Sequence, residues 1–464
     1  MSQFAVNPAV KPELDPGFVP AALWNKAYRA AVAADPEKSE IVIALERSNG
    51  AVSTYRTAIF PHRGDKAALN RKYVERIVKF LLWMKGGYRV TIAGCEALAG
   101  ELAEIYSSGG ARAFDYDFMG DRVYGKTFEV VARPLAQAPE SREIQVQLGG
   151  HLDGCRVGFD LGGSDRKCAA VIDGKVVHTE EVVWDPYFQK DPAYHAAGIR
   201  DSIRRAAEKM PRVDAIGGSS AGVFVDNCPR VASLFRGLSR ADFDAGIVNL
   251  FREIQKEYDV PLIVANDGEV TALAGAMSMK ATGVLGLSMG TSTAAGYVNL
   301  HGNITDWLNE LAFAPVDYRD DAPADEWSGD IGCGVQYFSQ QGVARLAKLA
   351  GLDFPDDMPL PKRLEAVQAL MKEHDGRAAA IYRSIGVCFG YAVAHYCDFY
   401  EIRKLLILGR VTSGEGGEII IDEARKVLEK EFPELAAQIE FRTPDEQFKR
   451  HGQAVIAASL PALK

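Results

Sequence analysis

Four short stretches of this chain place glycines, hydroxyls and carboxylates where phosphate chemistry would need them. In "DLGGSDRK", Gly162 and Gly163 sit in a polar turn between two apolar runs. Backbone N–H groups exposed at such a turn converge on anions. Ser164 and Lys167 add donors, and the Asp160 carboxylate can hold Mg2+ through its waters. The same residues also make an ordinary hairpin turn, and this stretch leaves both open. "LSMGTSTAAG" repeats the pattern with Gly290 and Thr291, and two such bends suit a nucleotide held between two lobes. Between them, "VANDGEV" sets Asn266 and Asp267 after an apolar strand and before a helix. Ligands gather at the carboxyl ends of strands in α/β sheets. Asp267 or Asn266 is there either a helix N-cap, or Asp267 is a general base and Asn266 orients the attacking alcohol. Finally, "LLILGRVTSGEGGEII" brings Gly409 and Gly414 into a loop between strand and helix. Its backbone could accept the flat face of a nucleobase, or the glycines are simple turn residues.

The elements that must position these residues alternate between strand and helix, which predicts α/β layers. Residues 1–38 read as an arm leading into a short helix, and 39–150 as an accessory α/β domain. Residues 151–285 and 286–464 read as two lobes of an ATPase fold, with the C-terminal helix returning to the first. "EIVIALERSNGAVSTYRTAIF" predicts a hairpin and "NRKYVERIVKFLLWMK" a helix; 137–152 is a polar connector. "FDAGIVNLFREIQKEY" predicts one helix and 301–335 an irregular acidic loop. The Ser-Asn-Gly turn near Glu46 is a faint echo of the 155–177 hairpin.

Composition bounds the partners. Of 464 residues, 47% are hydrophobic and 25% charged, ordinary for a globular chain. With 53 basic against 62 acidic residues the net charge is −9, which attracts neither nucleic acid nor an anionic membrane. No apolar run is long enough to span a bilayer. The first residues lack the basic and apolar regions of a signal peptide. Seven cysteines without a paired framework fit reduced thiols, so a cytoplasmic location is expected.

In order and spacing, the four motifs over 151–464 resemble the ROK family of sugar kinases, in the actin/hexokinase/Hsp70 ATPase-fold superfamily. The resemblance implies a two-lobed, actin-like (ribonuclease H-like) α/β fold, with an additional N-terminal α/β domain. It implies transfer of the γ-phosphoryl of ATP to a sugar hydroxyl, usually on a hexose, with Mg2+. Asp160, Gly162, Gly163, Ser164 and Lys167 would form the first phosphate motif, and Gly290 with Thr291 the second. Gly409, Gly414 and Gly416 would approach the adenosine. Asp267 matches the catalytic base, Asn266 a sugar ligand, and "NELAFAPV" places Glu310 on sugar hydroxyls.

The chain departs from the family where Ala312 and Phe313 replace Gly-His after Glu310. It also keeps only Cys333-Gly334 of the family's zinc cluster. One thiolate cannot provide a tetrahedral site, so no structural zinc is expected. Packing of Trp327, Tyr337 and Phe338 would then organise the loop that shapes the sugar pocket. The 1–150 segment has no counterpart in ordinary members and is expected to serve a homodimer or to cover the cleft. The alternative function is a sugar- or nucleotide-sensing protein without catalysis. A DNA-binding regulator conflicts with the acidic balance and the α/β N-terminus.

Overall fold

The computed structural model describes residues 6–143, 148–443 and 452–463. Residues 144–147 of the expected connector lie outside the described residues. Near the N-terminus, β1 (Ser39–Glu46) and β2 (Val52–Ile59) form the expected hairpin, paired from Ser39–Ile59 to Glu46–Val52. β3 (Arg89–Ala93) pairs antiparallel with β1, and β4 (Glu129–Arg133) parallel with β3. The helix Asp65–Lys85 crosses between β2 and β3. Its Tyr73, Val74, Ile77, Val78, Leu81 and Leu82 recur at helical spacing and are buried.

The second sheet begins with β5 (Cys155–Leu161), β6 (Asp165–Ile172) and β7 (Lys175–Val183), an antiparallel meander. β8 (Ala215–Ser220) adds to β5 in parallel, and the small hairpin of β9 (Val223–Val225) and β10 (Cys228–Val231) follows it. β11 (Leu262–Asn266) then pairs in parallel with β8, giving the order β11-β8-β5-β6-β7. The third sheet has the order β13-β12-β14-β15. In it β12 (Val284–Met289) and β13 (Thr293–Val298) are antiparallel, while β14 (Lys404–Leu408) and β15 (Glu440–Arg442) run parallel to β12. The N-terminal hairpin is not a copy of 155–177 in topology. The strand after its crossover helix pairs antiparallel with β1, whereas β8 pairs parallel with β5.

The C-terminal helix Gly452–Ala458 lies across β5 and β8. It comes so close that a Cβ on Gly158 or Gly217 would overlap the carbonyl oxygens of Ala454 and Ala457. Only glycine permits that approach. The single helix expected over 243–258 is instead two, Arg240–Gly246 and Leu250–Tyr258. Gly246 packs against Pro192 at the break. Among the described residues no helix is long and apolar enough to cross a membrane.

The N-terminal segment shares its core with the rest of the chain. Phe80 and Met84 pack in the core of the third sheet, and Trp83 packs with Leu308, Phe313 and Cys333. Beside them lies a buried set of three cations and three carboxylates. Lys79 donates to Asp115 at 2.7 Å and reaches Asp330 at 3.3 Å. Arg76 and Arg112 each pair with both Glu75 and Asp330. Trp83 Nε1 donates to Asp115 at 2.6 Å, and the Cys333 thiol faces Asp330. The loop that bears Cys333 is thus fastened by charges from the 65–85 helix, as well as by the expected aromatics. Trp327 packs on Phe114, Phe118 and Phe313, the Tyr337 hydroxyl donates to Asp317 at 2.6 Å, and Phe338 is fully buried. Among the described residues, no three His, Cys, Asp or Glu side chains converge as a metal-ligand set.

Removing one member of such a set strands buried charge. Lys79→Met is expected to lower the unfolding free energy by about 3–5 kcal/mol, measured by urea denaturation.

Candidate functional site

Register aligns the first group of acids. Asp160 near the end of β5 sits opposite Ser219 of β8, and Ser220 sits opposite Asn266 of β11. Three parallel strands therefore end side by side, and the chain turns from β11 directly into the helix Asp267–Met279. Asn266 is the cap of that helix, its Oδ1 accepting the Gly268 N–H at 2.7 Å while its Nδ2 donates to the Gly222 carbonyl at 2.8 Å. The Asp267 carboxylate accepts the same N–H at 2.9 Å through Oδ1 only.

Opposite this helix start, a loop from the 301–335 stretch presents Asn309 and Glu310. The Asn309 and Glu310 N–H groups donate to the Met84 and Trp83 carbonyls, at 2.8 and 2.9 Å. Asn309 lies in the left-handed region (φ 52°). It is held by the Tyr400 hydroxyl, which donates to its Oδ1 at 2.8 Å, and its Nδ2 donates to Glu269 at 3.2 Å.

These carboxyls share a desolvated field. Burial pushes Asp160 up to about 6; the Ser219 hydroxyl and Lys167 oppose this, and Asp267 adds to it. Burial also raises Asp267, against the Gly268 N–H. Burial and the neighbouring Asp267 push Glu310 up to about 7. Glu269 is pushed by burial to about 8, although Asn309 donates to it. The Asp267 charge thus raises both Asp160 and Glu310. The carboxylate of Asp160 and the hydroxyl of Ser219 across from it offer hard oxygens of the kind Mg2+ takes.

The phosphate-type turns are less open. In the first, the Gly162 N–H donates to the Asp165 carbonyl, and the Trp184 indole donates to the Gly162 carbonyl at 2.8 Å. Ser164 and Lys167 both donate to the Asp165 carboxylate, at 2.9 and 2.6 Å. Gly163 lies beneath Tyr187. Asp165 stands inside the motif, and its signal in the sequence is a second acid directly after Gly-Gly-Ser. In the second turn, the Gly290 N–H donates to the Ser292 carbonyl and the Gly290 carbonyl accepts from Gln340, with Thr291 exposed. Gly409 follows β14 beside the end of β12, and at φ 104° a Cβ there would overlap the Met289 backbone. Gly414 and Gly416 open the helix Glu415–Glu431 and line a cavity of about 290 Å³ with Gln368, Lys372 and Tyr382.

A second cavity, of about 320 Å³, adjoins the head of the 267–279 helix. Its walls include Asn266 and Glu269, the Gly222–Asn227 hairpin, Thr305–Leu308, and Arg47–Asn49 from the turn after β1. Glu269 and Asn309 lie inside "VANDGEV" and "NELAFAPV", and Asn49 in the Ser-Asn-Gly turn, but nothing in their local spacing assigns them to a site.

The raised acids fix a pH dependence. Folded Glu269 keeps its proton to about pH 8, whereas in the unfolded chain it ionises near its ordinary 4.5. The stability it contributes is therefore complete below that value and is lost as pH rises through 8. Glu269→Gln is expected to flatten the fall in melting temperature between pH 5 and pH 8, read by calorimetry.

No family model matches the chain, and no curated protein matches it. Solved structures do. A ROK hexokinase from Thermus thermophilus superposes with a TM-score of 0.52 at 17% identity, covering 66% of this chain and 96% of that one. A ROK family transcriptional regulator, a homologue of the E. coli MLC protein, superposes with a TM-score of 0.51 at 17% identity, covering 67% and 79%. The chain accordingly has the two-lobed, actin-like α/β fold seen in ROK kinases and regulators.

Proposed function

We propose that this chain transfers a phosphoryl group from ATP to a hydroxyl of a sugar, a hexose or hexose derivative. The observation that carries this is the position of Asp267, which opens a helix where β11 ends beside β8 and β5, with the Asn309 loop joined to Glu269 of the same helix. The hexokinase neighbour of the same fold supports it.

Phosphoryl transfer needs in-line positioning and neutralised phosphate charge more than covalent help. Asn266 and Glu310 hold the acceptor, and Asp267 takes the proton of the attacking hydroxyl. A carboxyl raised by burial is a stronger base than an exposed one, and lies nearer working pH. The turn at Gly163 and Ser164 would receive the donor's phosphates, with Lys167 joining once released from Asp165, while the Gly162 N–H stays on the Asp165 carbonyl. Gly290 and Thr291 supply the second turn. Gly409, Gly414 and Gly416 border the adenosine. Asp160 is the residue to hold Mg2+, which when bound neutralises charge on the transferring phosphates.

A second function, sugar or nucleotide sensing without transfer, is favoured by one feature. The Asp165 carboxylate occupies Ser164 and Lys167, and a regulator shares the fold.

A coupled ADP-release assay over a sugar panel decides between them. Turnover is expected with at least one hexose, and Asp267→Asn is expected to lower kcat by about 10²–10⁴-fold. No turnover on any sugar would overturn the kinase, and an unchanged rate in the variant would remove Asp267 from the mechanism. Asp165→Asn, which frees Lys167 and removes a like charge, is expected to tighten ATP binding by up to about 1 kcal/mol, measured by titration calorimetry.

A further inference from the structure

Directly before Glu310, the buried Asn309 ties its loop to three other parts of the chain. Its N–H donates to the Met84 carbonyl, its Oδ1 accepts from the Tyr400 hydroxyl at 2.8 Å, and its Nδ2 donates to Glu269 Oε1 at 3.2 Å. Among the described residues, the third is the one hydrogen bond that runs from the 301–335 stretch to the helix opening with Asp267. That helix start has little room to move. It is pressed on β13 so closely that a Cβ on Gly296 would overlap the Gly268 carbonyl. Glu269 therefore springs from a fixed point, and its side chain decides whether the loop is joined to the helix.

Glu269 has no counter-charge. The elements packed on its helix are β8, β11, β12, β13 and the C-terminal helix, and none carries an Asp, Glu, Lys, Arg or His within its bounds. The groups that act on it are Asn309, Asp306, Glu310 and Tyr400, with Asp267 two residues before it in its own helix. Arg47, Tyr124 and Asp226 line the same cavity, and Arg47 is committed to Asp306 and Glu143. An ionised Glu269 would thus meet acids and no free cation, and burial holds its proton up to about 8. The cavity it lines gives the charged side chain a way to water, which a buried carboxylate without a partner requires.

We infer that Glu269 and Asn309 are positioning residues, a latch that joins the Glu310 loop to the helix of Asp267 for as long as Glu269 carries its proton. While Glu269 is neutral, its Oε1 keeps the Asn309 amide, and the loop stays on the Met84 and Trp83 carbonyls. When the proton leaves, the carboxylate turns into the cavity and the loop loses one of its anchors. The consequence for the acceptor rests on the kinase function above, in which Glu310 holds the sugar.

Amide hydrogen exchange on the full chain reads the latch without any substrate. Corrected for the intrinsic rise of exchange with pH, protection of the Asn309 and Glu310 N–H groups is expected to fall about tenfold between pH 7 and pH 9, while β12 keeps its protection. Glu269→Gln, whose amide oxygen accepts the same bond, is expected to remove the fall. Asn309→Gly, which suits the φ of 52°, is expected to show the lower protection already at pH 7. Where a sugar turns over, its KM in the wild type relative to Glu269→Gln should rise about tenfold over the same range, a ratio that cancels the titration of Glu310. Asn309→Gly should raise that KM about tenfold at pH 7, with kcat changed less. Protection that stays level with pH, a fall that Glu269→Gln retains, or one that β12 shares would overturn the proposal, as would a KM that Asn309→Gly leaves unchanged. Protection that falls as expected, without transfer to any sugar, would leave the latch standing and remove the kinase. Transfer that needs Asp267, with protection level across the range, would do the reverse.

Discussion

Two backbone hydrogen bonds, from Asn309 and Glu310 to the last carbonyls of the 65–85 helix, set the geometry on which the candidate site depends. Helix ends leave such carbonyls without intrahelical partners, and here the loop that carries Glu310 supplies them. The same helix fastens the other end of the irregular stretch one turn earlier, through Lys79 and Arg76 on Asp330. Glu310 is therefore held in place by a helix from the first quarter of the chain, which fixes the loop at both points. An arrangement built this way ties the N-terminal segment to the chemistry, whatever else that segment does.

Two groups of acids differ in how their charge is balanced. Burial raises Glu75 and Asp115 of the first as it raises the acids of the second, but each acid of the first has a cation in contact. Around Asp330, three carboxylates meet three cations, and Asp330 is held below its ordinary value by Arg76 and Lys79 despite its burial. That group has balanced charge, with every member paired. Around Asp267, the carboxyls of Asp160, Glu310 and Glu269 are all pushed up, and Lys167, the cation that acts on Asp160, spends its ammonium on Asp165. Uncompensated acids in a cleft cost stability and mark functional sites more often than scaffolds.

Much of the fold was legible from short-range pattern. The apolar runs gave the hairpins β1–β2 and β5–β6, and Asn-Asp after "PLIVA" marked the strand end where Asn266 and Asp267 do lie. Glu310 was legible only through family resemblance, since nothing in its local spacing distinguishes it. What stayed hidden were pairings between residues far apart in the chain. Lys79 with Asp330, Arg47 with Asp306 and Trp83 with Glu310 join segments more than two hundred residues apart, and periodicity carries no trace of them. The break at Gly246 was hidden for a related reason, because a contact with Pro192 accompanies it and hydrophobic spacing does not.

Glycine, the residue that first drew attention to the phosphate-type turns, turns out to be the weaker witness. At Gly163, Gly409 and Gly416 the missing Cβ is demanded by protein atoms, respectively the Tyr187 ring, the Met289 backbone and the Tyr382 ring. Each would be glycine with or without a nucleotide. The acids have no such excuse. Packing never requires an ionisable group where an apolar one of similar size would be cheaper to bury, yet Asp160 is buried at a strand end and the Asp267 charge raises both it and Glu310. Their chemistry, rather than the shape of the turns, is what a phosphoryl-transfer site must explain.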